Sequence, residues 1–419
     1  MENQKGSYYI PKDKCYATYI LFYALGVVTL ITSNFFTTAT DYWMYKFRDP
    51  ASFQDYNDGN KTSMQAEFTS DFSIISTVGN MASISFTTHF LMKKLSIVKR
   101  IIGALCGVIA IFILTCIFAK VNTDSWQRAF FILTLIKGFA LTGFCGCFMV
   151  TVFQLAVKFP PRYMITLFSG QSICGVLAAL VQIFALGVTE NPTTRGLIYF
   201  LMGMFFVFLT LVGFLISTRR SRFFQHHSAK IVEAKRPKMS KEIVVSVLQK
   251  NKFYLGSLFI VLGSSIMLHP GVTTLVLSVD KGNGNKWNDV FFGPVISFLF
   301  YYLFDYIGRE CGITLKKPSN EIVIFVISCC RIALVPMILL CNAQPREHLS
   351  VTFNNDYAYI IFIILFAFSN GYIVNLCITH VRRVTSDEEK PIAMFFVLIL
   401  MLLSVAVCSA TSRILINAL

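Results

Sequence analysis

Polar and apolar residues follow one another along this chain in long blocks. Ile101–Ala119, "IIGALCGVIAIFILTCIFA", is an uncharged run of 19 residues, close to the ~20 that a helix needs to cross the hydrocarbon core of a bilayer. Similar runs recur from end to end without β-barrel alternation, which leaves helices as the spanning element. The blocks predict eleven helices, near 16–38, 70–92, 100–120, 126–152, 163–188, 196–216, 253–277, 288–314, 322–342, 355–380 and 390–417. The expected fold class is an all-α polytopic membrane protein.

Composition strengthens this expectation. Of 419 residues, 55% are hydrophobic, 14% are charged and 41 are Phe. A soluble protein of this size could not hide so much apolar surface, so the bilayer must be the solvent. The first 15 residues are polar and hold no signal-peptide core, so the first helix is expected both to target and to anchor.

Charge then sets an orientation. Residues 217–252, "STRRSRFFQHHSAKIVEAKRPKMSKEIVVSVLQKNK", hold ten Lys and Arg against two Glu, and the positive-inside rule assigns this loop to the cytosol. Lys93, Lys94, Lys99 and Arg100 mark a second cytosolic loop, Lys158 and Arg162 a third. Counting back gives a cytosolic N-terminus and, with an odd helix number, an extracellular C-terminus. Topology accounts for much of the +15 net charge, and no nucleic-acid partner is expected. Asn60-Lys61-Thr62 is an N-x-S/T sequon in the polar loop assigned to the outside, so Asn60 is a candidate glycosylation site. A short N-terminus without a sorting motif favours the plasma membrane.

The basic stretch divides the chain into an N-terminal six-helix bundle (1–216), a basic cytosolic loop (217–252) and a C-terminal five-helix bundle (253–419). Two bundles with substrate held near the midplane is a common plan for alternating-access transporters. The second helix is rich in Ser and Thr, which should face other helices or a wet cavity. Gly170, Cys174 and Ala178 recur every four residues in the fifth, with Gly175 and Ala179 beside them, a flat face suited to close backbone approach. The twelve cysteines lie mostly within the helical blocks and show no metal-ligand spacing. No metal, cofactor or obligate protein partner is expected. HExxH, GxSxG and P-loop patterns are missing from the sequence, and no paired-carboxylate cluster falls within a span, so no enzyme activity is expected either.

Four ionisable residues stand out within spans: Lys137, Asp305, Arg309 and Arg331. Such residues are costly in lipid and usually face the protein interior. Phe298, Tyr302, Asp305 and Arg309 are spaced to share one helix face. On one reading Asp305 and Arg309 simply neutralise each other. On the other, the stripe binds a neutral, planar, hydroxyl-rich ligand, with a carboxylate to accept, a guanidinium to donate and aromatic walls to cover a flat ring. Lys137 and Arg331 are expected at interhelical or gating contacts. His269, beside Pro270, is expected at an interface or hinge, and Pro270 at a packing or gating position.

With these residues in view, the chain resembles the equilibrative nucleoside transporter family over almost its full length. "YATYILFYALGVVTLITSNFFTTATDYW" resembles the family's first helix, and "FPPRYMITLFSGQSICG", with Gly170, Gln171 and Gly175, its helix-four-to-five signature. "FDYIGR" resembles the D-x-x-G-R of helix eight, "CRIALVPMILLCN" helix nine and "FAFSNGYIVNLC" the S-N-G-Y segment of helix ten. The resemblance implies eleven helices in a six-plus-five, major-facilitator-like arrangement, and facilitative transport of nucleosides, in some members nucleobases. It implies that Asp305 and Arg309 bind the nucleoside near its ribose, and that Ser33, Asn34, Thr37, Met81, Met149, Thr151, Tyr302, Phe298 and Leu402 belong to the same site. Gly170, Gln171 and Gly175 are expected to pack helices or gate.

The sequence also departs from the family pattern. Thr32-Ser33 replaces a Pro-Trp before Asn34, Met149 replaces a glutamine that contacts the base, and Tyr302 replaces an asparagine. The sugar end looks retained and the base end rebuilt. Two competing readings are a transport-silent homologue acting as receptor or scaffold, and the same fold carrying an organic cation.

Overall fold

A computed structural model describes residues 11–49, 62–229, 240–344, 346, 348–386 and 388–418. Asn60 lies outside these residues. The described chain is helical, with isolated β-bridges between loops (Val276 with Ala343, Cys341 with Phe353) and no strand. The expected blocks are occupied by α1 (Ala17–Thr38), α2 (Ser63–Phe86), α3 (Ile97–Lys120), α4 (Gln127–Ala156), α5 (Pro161–Val188), α6 (Pro192–Arg220), α7 (Lys241–Leu268), α8 (Tyr301–Leu315), α9 (Glu321–Arg331), α10 (Asp356–Val384) and α11 (Lys390–Ala418).

Among the described residues, eight helical segments are long and apolar enough to cross a membrane. The blocks that fall short are those of α2, α8 and α11. Helix α2 is diluted by its hydroxyls, α8 is short, and the apolar stretch described in α11 is Ile392–Met401.

Several boundaries differ from the sequence reading for identifiable reasons. Helix α6 runs on to Arg220 and α7 begins at Lys241, so both helices enter the segment read as a loop. Arg219 and Arg220 suit a helix C-terminus, where cations complement the dipole, and Ser240 caps α7 by accepting from Ile243 N. A short helix, Arg222–Ser228, lies between them. At its other end α7 stops at Leu268 instead of running to 277, because Pro270 has no N–H to continue it and constrains His269 before it. The block before α8 is a π-helix, Gly293–Phe300. The ninth block breaks after Arg331 and resumes as Leu334–Leu339. Pro336 explains the break, since its ring excludes the carbonyl four residues earlier, that of Ile332.

By their contacts the residues form two compact units, Met1–Tyr56 with Lys61–Cys174 and Asn191–Ala234, and Asn57–Asn60 with Gly175–Glu190 and Lys235–Leu419. In the first, α2 packs on α4, and α3 packs on α4 and α6. Helices α1 and α5 meet through glycines: a Cβ on Gly26 would stand 2.1 Å from Leu167 O, and one on Gly170 2.2 Å from Tyr23 O. In the second, α8 packs on α10, and α7 on α9, α10 and α11. Its core includes Leu268, Val272, Ile296, Tyr301, Ile338, Tyr359, Ile363 and Phe366.

Candidate functional site

A close backbone approach in the second unit brings two of the sequence motifs together. A Cβ on Gly371 would stand 1.9 Å from Asp305 O, and one on Gly308 2.3 Å from Phe368 O. Only glycine lets α8 and α10 touch this closely, and the contact sets Asp305 beside Asn370. Asp305 is buried. Its Oδ2 accepts from Arg309 Nε at 2.8 Å, and its Oδ1 accepts from Asn370 Nδ2 at 2.5 Å. Asn375 Nδ2 donates to Arg309 O at 3.2 Å, so α10 steadies the arginine turn as well.

Behind Asp305 the network continues inward. Ser265 Oγ lies 2.7 Å from Asn370 Oδ1, and Arg331 Nη2 donates to Ser265 Oγ at 2.7 Å. Arg331 also donates to Val261 O at 3.1 Å, Phe366 O at 3.0 Å, Ser369 Oγ at 2.9 Å and Ser264 Oγ, and its guanidinium lies over the Phe366 ring at 4.0 Å. A buried cation is tolerated in such a place because its donors are satisfied. Arg331 therefore ties α9 to α7 and α10. Arg309 is different: it gives Asp305 its Nε, and its side chain keeps 25% of its surface exposed against 9% for Asp305.

The aromatic part of the stripe is built around the end of α7. Phe298 is buried and Tyr302 half-buried. The ring of His269 stacks on Tyr301 at 3.8 Å between centroids and meets Phe298 and Tyr302 edge-on at 5.7 and 5.2 Å. Tyr302 also covers Gly175, where a Cβ would stand 2.2 Å from its ring. Pro270 ends α7 beside this cluster. The expectation that Phe298 lies on one α-helical face with Asp305 needs amendment. Phe298 belongs to the π-helical segment, which carries more residues per turn than the α-helix after it.

In the first unit the expected residues are more dispersed. Asn34 Nδ2 donates to Cys174 Sγ at 3.5 Å, and Gln171 Nε2 to Thr29 Oγ at 2.9 Å. Thr151 is fully buried, donates to Cys147 O at 2.7 Å and accepts from Arg100 Nη1 at 3.4 Å. That hydroxyl is committed within the unit. Met149 is half-buried and Met81 exposed. Lys137 is buried, with Nζ 4.9 Å from the ring of Phe118 on α3, an interhelical cation–π contact, and 5.2 Å from that of Phe130 on its own helix. Ser33 and Thr37 lie on α1 and Leu402 on α11.

Sequence reasoning missed three polar residues. Ser76 and Asn80, one turn apart on α2, keep Oγ and Oδ1 buried with no partner among the described residues. The signal was present, as hydroxyl and amide groups four residues apart in an apolar helix. His269 is the third. Its Nε2 is likewise buried with no partner among the described residues, whereas the sequence suggests only a structural role for it beside Pro270.

Together the apolar helices, the helix-to-helix glycine contacts and an ion pair with a buried carboxylate describe a polytopic membrane protein. The nucleoside transporter family profile matches residues 144–415. The chain belongs to the nucleoside transporter family. It is 26% identical to rat equilibrative nucleoside transporter 3, over 96% of this chain and 89% of that protein. It is 26% identical to human equilibrative nucleoside transporter 1 and 25% to the rat type 2 protein, each over 91% of this chain and 93% of the relative. The crystal structure of a bacterial homologue of the human lysosomal transporter Spinster, inward-facing and unoccupied, superposes with a TM-score of 0.50. That match has 11% identity and covers 94% of this chain and 81% of that one. It supports a major-facilitator-like fold.

Proposed function

We propose that this chain moves nucleosides down their gradients by alternating access, with the ribose held at Asp305 and Arg309. The observation that carries the reading is the half-used state of this pair. Asp305 is buried and fixed from two sides, while Arg309 gives it one nitrogen and keeps the rest of the fork accessible. A cis-diol suits such a pair, since it donates to a carboxylate and accepts from a guanidinium. Tyr302 and Phe298 supply apolar and aromatic surface beside it. The resemblance also assigns Ser33, Asn34, Thr37, Met81, Met149 and Leu402 to nucleoside binding. Thr151 and Arg331 act as supports, and Lys137, Gly170, Gln171, Gly175 and Pro270 as packing or gating positions.

The protein sits in the plasma membrane with residues 217–252 and the N-terminus in the cytosol and the C-terminus outside. Six- and five-helix bundles (1–216 and 253–419) flank the basic segment. The charges at Arg219, Arg220 and Lys241 favour this orientation. Asn60 is then extracellular and open to glycosylation. Uptake of labelled nucleosides, nucleobases and amines by proteoliposomes tests the reading: saturable nucleoside entry that stops at equal concentrations supports it, and entry of amines alone, or of nothing, overturns it.

A further inference from the structure

We propose that His269 reads the nucleobase, through Nε2 acting as a hydrogen-bond acceptor. The proposal rests on Asp305 and Arg309 holding a nucleoside by its sugar. Three observations lead to it.

First, Nε2 is the one polar atom of the aromatic cluster at the end of α7 that is buried with no partner among the described residues. A buried polar atom without a partner costs free energy, and a ligand that supplies the partner recovers it. Second, the ring is held in place. Its face lies on Tyr301, its edges meet Phe298 and Tyr302, and Nδ1 is 3.0 Å from Thr273 Oγ. Thr273 is held in turn, its carbonyl accepting from Tyr359 Oη at 3.2 Å, and Tyr359 Oη lying 2.8 Å from Ser297 Oγ. Third, this network accommodates the tautomer that the role needs. Thr273 Oγ donates its single proton to Pro270 O at 3.2 Å. That carbonyl also takes the Thr274 N–H at 3.0 Å, which its two lone pairs allow. With that proton directed to Pro270 O, Thr273 Oγ accepts from Nδ1, and in this tautomer Nε2 offers a lone pair.

Position fits the same role. Phe298 and Tyr302, which His269 touches, precede Asp305 by seven and three residues, roughly 5–10 Å along a helix at about 1.5 Å per residue. A nucleoside with its ribose at Asp305 places its base over this distance. The partner for an acceptor is a donor on the base edge, an exocyclic amine or a ring N–H.

The test uses pairs of nucleosides that differ in that donor: adenosine against purine riboside, and cytidine against the pyrimidin-2-one riboside. For the wild-type protein in proteoliposomes, the donor-bearing member should compete with labelled substrate roughly fivefold to tenfold better, the value of one neutral hydrogen bond. In His269→Phe, which keeps a flat ring, the ratio should fall to about one. Thr273→Val, which frees the tautomer, should lower it part of the way. Asp305→Asn should weaken both members of a pair together and preserve the ratio. Equal competition by both members in the wild type, which needs no variant at all, overturns the assignment of His269 and leaves nucleoside transport standing. A preference for the donor-lacking member, or a ratio unchanged in His269→Phe, does the same. No competition by any nucleoside overturns the sugar-site reading itself.

Discussion

Asn370 Nδ2 on α10 donates to Asp305 Oδ1 on α8 at 2.5 Å, and Arg309 Nε holds the other oxygen at 2.8 Å. The carboxylate is therefore oriented before any ligand arrives. Preorganisation of this kind strengthens binding by lowering the cost of ordering. Asn370→Ala should leave Asp305 charged but poorly aimed. We expect apparent affinity for nucleosides to fall about tenfold, roughly the worth of one hydrogen bond to a charged group. Uptake kinetics normalised to protein in the membrane would check this.

Gly371 is where the two helices touch. Its missing Cβ would stand 1.9 Å from Asp305 O and 2.8 Å from Arg309 N, both backbone atoms that no side-chain rotation can clear. Gly371→Ala should push α8 from α10, with a cost of about 1–3 kcal/mol for overpacking. Thermal unfolding of the purified protein should shift down and uptake should drop with it, whereas Gly143→Ala, where a Cβ meets nothing within 4 Å, should change the melting temperature little.

Arg331 supports the site without facing it. Arg331→Lys keeps the charge but cannot reproduce a planar fork with five donors. Ser265, Ser369 and the carbonyls of Val261 and Phe366 would lose partners, so we expect a loss of about 2 kcal/mol or more. A melting temperature equal to wild type would show that the hub is not holding α9 to α7 and α10.

A pH effect follows from Glu389, between α10 and α11. Lys250 Nζ donates to both its oxygens at 2.9 and 3.0 Å, and Ser246 and Ser386 donate as well. These partners, Lys250 first, pull its pKa down from the ordinary carboxylate range to about 2. A depressed carboxylate contributes stability that is complete above its unfolded pKa, near 4.5, and is lost as pH falls towards 2. Melting temperature measured from pH 6 to 3 should therefore decline less steeply in Glu389→Gln than in the wild type. Lys250 is nearly half exposed, so the effect at neutral pH should be small.

Much of this arrangement is legible in the sequence, and the parts that are not share a cause. Block hydropathy is enough to locate the helices, because lipid demands continuous apolar length. The ends of α7 and the break after Arg331 are readable too, but only by giving Pro270 and Pro336 their steric weight over the apolar run. The π-helix at Gly293–Phe300 is not readable, since its composition suits an α-helix equally well. At the site, Asp305 and Arg309 stand out as charges in lipid. The partnership of Asp305 with Asn370 does not, because it depends on a glycine contact between residues 65 apart in the chain. Thr151 looked available for a ligand until Arg100 and Cys147 were seen to occupy it. His269 was discounted because proline beside it offered a sufficient structural reason.

Met149 provides a separate check on the base end. Met149→Gln introduces an amide where the family pattern has one, and we expect the ratio of uptake among different bases to change, by about fivefold, the worth of about 1 kcal/mol. An unchanged ratio would remove Met149 from the site.

The most direct measurement is uptake per molecule for Asp305→Asn, Arg309→Gln and the double variant, in proteoliposomes with a labelled nucleoside. If the pair binds ribose, each single change should lower apparent affinity about ten- to a hundredfold, from the loss of charge-assisted bonds, and the double variant should be no better than either. If the two residues only neutralise each other, removing both charges should restore what one removal costs, and a double variant transporting close to wild type would contradict the account.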